Sequence, residues 1–142
     1  LDEANSYIGL CKASISEQDI KNFLHGVQNN LFIAQAQIAG ADKKIGEGEV
    51  KKLEQVVNDI ETKLPLIKSF LVPGVNTLSA HFDFARTLVR RAERRVVAVS
   101  EEYEGRIDPQ TLAYLNRLSS LLYAYARLFA EKGGGEEQAP TY

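Results

Sequence analysis

The amino-acid sequence predicts an all-α protein, an up-and-down bundle of five helices. Apolar residues recur at heptad-like spacing in four long stretches. Start and stop signals for helices fall between those stretches, and none of them shows the period-two alternation of a half-buried strand. At 142 residues the chain is one domain, long enough to bury a core of ordinary size. Residues 1–131 are assigned to the bundle and 132–142, "KGGGEEQAPTY", to a disordered tail.

The opening "LDEANSYIGL" reads as the inside of a helix that runs to about residue 13, and further residues are expected before Leu1. Ser16 followed by Asp19 resembles a capping pair for a second helix over 16–39, whose seam is Ile20, Leu24, Val27, Leu31, Ala34 and Ile38. After the glycine- and charge-rich "AGADKKIGEGE", a third helix is predicted over 47–70, with a seam of Val50, Leu53, Val57, Ile60, Leu64 and Ile67. "LVPGVNT" breaks the chain and offers Asn76 or Thr77 as the cap of a fourth helix, 76–103, seamed by Leu78, Phe82, Ala85, Val89, Ala92, Val96 and Val99. Asp108 as N-cap and Pro109 in the first turn open a fifth helix, 109–131, with a seam of Leu112, Leu115, Ser119, Leu122, Ala126 and Phe129. Helices of this length reach about 36 Å, and short connections make sequence neighbours antiparallel. The fifth helix also carries a second stripe of Tyr114, Leu118, Leu121, Tyr125 and Leu128. So wide an apolar arc predicts a central helix or a subunit interface, and favours an oligomer.

Composition excludes several classes of function. Seventeen basic against nineteen acidic residues leave a net charge of −2, so no nucleic-acid or membrane partner is expected and any anion must be met by local clustering. The one cysteine, Cys11, rules out a disulfide framework and a cysteine zinc site, and it reads as a small buried thiol. No apolar run approaches the roughly 20 residues of a membrane span, and with no export signal a cytoplasmic location is expected. There is no phosphate-binding P-loop and no dinucleotide fingerprint. Neither His25 nor His81 has a glutamate three residues before it, as a di-iron bundle would need.

One local cluster stands out. Between Arg86 and Arg95, ten positions hold five arginines and one glutamate. A solvated helix face normally alternates charge, whereas here the neighbours one turn apart are mostly alike, each such pair unfavourable by about 0.2–0.5 kcal/mol. At 100° per residue, Arg86, Arg90 and Glu93 lie within about 60° of one another, beside the apolar seam. Arg91 and Arg95 point away and are assigned to solvent or to ion pairs between subunits. Two arginines one turn apart at the rim of a packing surface form a fork for phosphate or carboxylate, and Glu93 could orient them or meet a metal ion. On the residues alone, the alternative is a plain charged face.

Three stretches, "DEANSYIGL", "FARTLVRRAER" and "YLNRLSSLLYAYAR", in that order and joined by "FLVPG", carry a resemblance over Leu1 to about Lys132. Together they resemble the ATP:cob(I)alamin adenosyltransferases of the propanediol-utilisation (PduO) type. The resemblance implies a trimer of five-helix bundles in a ferritin-like arrangement, with active sites between neighbouring subunits. It implies transfer of the 5′-deoxyadenosyl group of ATP to cob(I)alamin, giving adenosylcobalamin and triphosphate, with Mg²⁺ present. By the same resemblance Arg86 and Arg90 are the catalytic triphosphate contacts, with Glu93 and Asn116 in the ATP site. Asp2 is expected to pair with Arg86 across the subunit boundary, and Phe70 to pack under the corrin ring and exclude its lower axial ligand.

Departures from the family pattern are Val75 in place of a second glycine after "PG", Asp83 where a histidine is usual, and Ser120 where many members have aspartate. The family's N-terminal glycine- and threonine-rich loop with its lysine is absent from these residues; it either precedes Leu1 or is lost. Its loss would fit a non-catalytic carrier or sensor of cobalamin or nucleotide. A third reading is a structural bundle whose arginines dock an acidic partner protein.

Overall fold

A computed structural model describes residues 1–142 and contains helices and no strands. The helices are α1 (Asp2–Ala13), α2 (Gln18–Ile38), α3 (Glu49–Glu61), α4 (Thr77–Glu102) and α5 (Pro109–Lys132). Cross-links between them give the directions. Asn5 meets Gln28 and Lys12 meets His25, Glu3 meets Arg91 and Tyr7 meets His81, and Asn116 meets Glu93 while Asn76 meets Phe129, so α1–α2, α1–α4 and α4–α5 run antiparallel. Gln110 bonds the Gly46 carbonyl and Arg127 the Pro65 carbonyl, 64 and 62 residues away in sequence, so α3 and α5 run parallel. This is the alternating order of an up-and-down bundle.

Four helices match the spacing of the sequence to within two residues, and α3 does not. It stops at Glu61, whereas its apolar seam continues in phase through Leu64 and Ile67. The cause is Pro65, which has no N–H to give to a carbonyl one turn back and pushes Leu64 out of the helical region. Residues 62–76 are therefore an irregular connection, and Ile67 and Phe70 are exposed rather than packed.

The caps of α4 and α5 form as the sequence predicts. The Asn76 side chain accepts from the Ser79 N–H at 2.8 Å and that of Asp108 from the Gln110 N–H at 2.9 Å. The Ser16/Asp19 pair does not form a cap. Glu17 takes the N-cap position of α2, and its carboxylate accepts instead from the Ser16 N–H and from Lys132 of α5. Asn76 has a second role, because its Nδ2 donates to the Phe129 carbonyl at 3.0 Å near the end of α5. Asn76→Ala removes both bonds and is expected to destabilise the protein by about 1–2 kcal/mol. Urea denaturation reads this directly; a change of only a few tenths would mean water replaces the cap.

The core runs along α5. Leu115, Leu118, Leu121 and Leu122 are fully buried, and Phe82 of α4 lies parallel to Phe129 with ring centroids 5.1 Å apart. The second stripe of α5 has its explanation here. Tyr114, Leu118, Leu121 and Tyr125 are all buried within the single chain, since α5 packs against α4 and α3 and touches α2 through Asn30 and Gln37. It is a central helix, so this stripe is no argument for an oligomer. Cys11 is buried in the α1 interface, and burial pushes its thiol up to about 12, which leaves it protonated and inert near neutrality.

The chain reverses at Gly133–Gly135 and lies back over the 62–76 connection, where the Val72 N–H donates to the Gln138 carbonyl at 2.7 Å.

Candidate functional site

The exposed side of α4, the facing side of α5 and the 62–76 connection enclose an open cleft of about 910 Å³. Phe70, Arg86, Arg90, Ser120 and Tyr123 are among its walls, and Ala139, Pro140 and Tyr142 close one edge. A second recess of about 350 Å³ continues along α4 and is lined by Arg90, Glu93, Arg94, Val97 and Asn116. Arg90 borders both, so the two recesses form one groove that is apolar at Phe70 and polar at Asn116.

The periodicity of α4 places these side chains. Phe82, Ala85, Val89 and Ala92 face the core, which turns Asp83, Arg86, Arg90 and Glu93 toward the flank nearest α5. Arg86 is half-buried, and its Nε donates to Asp83 Oδ1 at 2.9 Å. Its guanidinium also lies over the Tyr123 ring, 5.8 Å from the centroid. Burial pushes the Tyr123 phenol up, so it stays neutral beside that cation. Arg90 is exposed and makes no ion pair within the chain. Glu93 does not turn back to Arg90 but accepts from Asn116 Nδ2 at 3.1 Å. Arg117 in turn donates to Asn116 Oδ1 and to Ser120 Oγ, at 3.2 and 3.1 Å, so the polar end is a connected network.

The apolar end has the opposite character. Phe70 is 80% exposed and Ile67 is exposed as well, on a stretch with no helix to hold them. Burying one such side chain is worth roughly 1.5–3 kcal/mol, so this surface favours an apolar ligand.

Arg86, Arg90, Glu93, Asn116 and Phe70 therefore lie along one groove. Asp2 does not reach it within the chain. It is exposed in the first turn of α1, and the carboxylate on Arg86 is that of Asp83. Arg91, assigned from the sequence to solvent or another subunit, instead pairs with Glu3 of its own chain. His81 bonds the Tyr7 hydroxyl and His25 meets Lys12, both between packed helices. No group of three histidine, cysteine or carboxylate side chains is close enough to hold a metal ion alone. The sequence reading missed Tyr123 and Arg127. The signal for both was a polar group on an otherwise apolar helix.

The family model for cobalamin adenosyltransferases matches residues 1–129. A corrinoid adenosyltransferase of Citrobacter freundii is 34% identical, the match covering 90% of this chain and 76% of that protein. One from Bacillus subtilis is 37% identical over 94% of this chain and 72% of its own length. The chain spans 39% of the longer PduO corrinoid adenosyltransferase of Citrobacter freundii, at 34% identity. Among solved structures, a variant PduO-type ATP:corrinoid adenosyltransferase from Lactobacillus reuteri complexed with cobalamin and ATP superposes with a TM-score of 0.91. It is 28% identical, and the match covers 99% of this chain and 82% of that one.

Proposed function

Because the chain belongs to the cobalamin adenosyltransferase family, we propose that the groove along α4 holds both substrates of an adenosyl transfer, ATP toward Asn116 and the corrinoid toward Phe70. The protein is an ATP:corrinoid adenosyltransferase, which converts ATP and cob(I)alamin to adenosylcobalamin and triphosphate. The observation that carries the placement is Arg90, an unpaired cation at the junction of the apolar and polar recesses.

The cobalt electron pair forms the bond to C5′ of ATP while the C5′–O bond breaks and its electrons leave with triphosphate. Negative charge grows on the leaving group, so cations already fixed beside it favour the transition state. Arg86, braced by Asp83 and Tyr123, supplies an oriented cation, and Arg90 supplies one free to meet the phosphates. Glu93, held by Asn116, faces the nucleotide. A Mg²⁺ ion bound with ATP would need only one or two carboxylates beside phosphate oxygens, and Glu93 would offer one, the ion adding positive charge against the triphosphate. Phe70 covers the lower face of the corrin and keeps an axial ligand from it.

The working form is a cytoplasmic homotrimer in which Asp2 of a neighbouring subunit joins Asp83 on Arg86, completing the site at the boundary. Phe84, half exposed beside Tyr7 on the α1–α4 surface, leaves apolar area that a second subunit would cover. No helix is long and apolar enough to cross a membrane.

The test follows cob(I)alamin absorbance with and without MgATP. ATP-dependent conversion is expected, and Phe70→Ala should slow it by about 10–10²-fold, the equivalent of one lost apolar contact. Because Phe70 is exposed in the free protein, its thermal midpoint should not move. Binding of both ligands with no conversion would instead indicate a carrier.

A further inference from the structure

We infer that Arg127 is a positioning residue for this reaction, setting the corrin side of the groove by pinning the segment that carries Phe70. The inference rests on the proposed placement of the corrinoid, and the observations behind it are independent of that placement. Arg127 is the one charge buried within α5, 6% exposed among leucines, alanines and aromatic rings. Its Nε and Nη2 donate to the two carboxylate oxygens of Glu137, at 3.0 and 3.1 Å, a bidentate fork. The same Nη2 donates to the Pro65 carbonyl at 2.8 Å. One guanidinium thus joins the central helix, the start of the 62–76 connection and the C-terminal segment.

Two anchors hold the connection on either side of Phe70. Upstream, the Pro65 carbonyl is tied to Arg127, and downstream the Val72 N–H is tied to the Gln138 carbonyl. Phe70 itself buries little, so its place is set by these backbone attachments. The glycine run makes the geometry possible. Gly134 sits at φ +73°, and a Cβ on Gly135 would collide with Cγ1 of Val75. Val75, which stands where the family pattern has glycine, therefore fills the room that Gly135 leaves. Beyond Glu137, residues Ala139, Pro140 and Tyr142 wall the same cleft as Phe70. The segment is a strap fastened across the corrin side.

Two variants test this without truncating the buried cation. Glu137→Gln removes the charge of the fork, and Gly135→Ala lifts the strap while leaving the ion pair chemically intact. Steady-state kinetics on each should show KM for cob(I)alamin raised about tenfold with KM for ATP within about twofold of wild type. A loss of packing that merely loosened the bundle would move both constants together. Unchanged KM for cob(I)alamin in both variants, or parallel rises in the two KM values, would overturn the inference while an active wild type upheld the functional reading. A wild-type protein without ATP-dependent turnover would overturn both.

Discussion

Arg90→Ala is expected to slow adenosyl transfer on the order of 10²-fold, the scale for losing one preorganised donor to developing charge. The fold should not suffer. Arg90 is exposed and makes no ion pair in the chain, so its removal leaves no buried partner stranded. Its neighbours at one turn, Arg86 and Arg94, are cations, and relieving those contacts returns about 0.2–0.5 kcal/mol each. The prediction is thus a pair of outcomes, a large fall in kcat and a thermal midpoint that holds or rises slightly. Arg90→Lys should recover part of the rate, because an ammonium keeps the charge and loses the planar fork. Turnover in Arg90→Ala within a few-fold of wild type would remove Arg90 from the site.

Phe82→Ala is expected to have the largest effect on stability, about 3–5 kcal/mol. Phe82 is fully buried, stacked on Phe129 and 5.5 Å from the Tyr125 ring, so truncation opens a cavity where α4 and α5 meet. Against a total of about 5–15 kcal/mol for a domain, that is a large share. The thermal midpoint should fall by roughly 10 °C. Urea denaturation at fixed protein concentration should show a lower midpoint with an unchanged slope, and a loss below about 1 kcal/mol would mean that the two remaining rings, Tyr125 and Phe129, repack to fill the gap. Phe82 adjoins Asp83, the brace of Arg86, so activity should also decline at temperatures where the fold still holds.

Legibility in the sequence followed the kind of physics that set each feature. The seams of α2, α4 and α5 were visible because burial on a helix imposes its period on the residues themselves. Asn76 and Asp108 were legible as caps because a cap is a local bond. Pro65 was visible too, but an in-phase apolar pattern through Leu64 and Ile67 masked it, and the steric rule prevails over periodicity. On α4, a 100° step was enough to put Arg86, Arg90 and Glu93 on one flank. Their closure into a groove depended on α5 and on the 62–76 connection, which lie far away in sequence. The double stripe of α5 could have meant an interface or a centre, and only the positions of α2, α3 and α4 decide between them. Gly133–Gly135 carried a related ambiguity. Glycine both frees the backbone and permits close approach, and the second use requires knowing that Val75 is the neighbour. Arg127 offered the clearest missed signal, a cation among apolar positions, which implies a buried partner.

The centrality of α5 has a consequence for how the protein comes into being. Ribosomes deliver chains in order, and here the helix that completes the core follows the other four. Until it emerges, Phe82 on α4 lacks its ring partners Tyr125 and Phe129, and α3 lacks the helix it packs against most. Residues 1–108 leave the exit tunnel as an open set of amphipathic helices, the kind of species that aggregates or is held by chaperones. Condensation therefore waits for residues 109–132 and is a single late event, with the arginine-lined groove and the core appearing together.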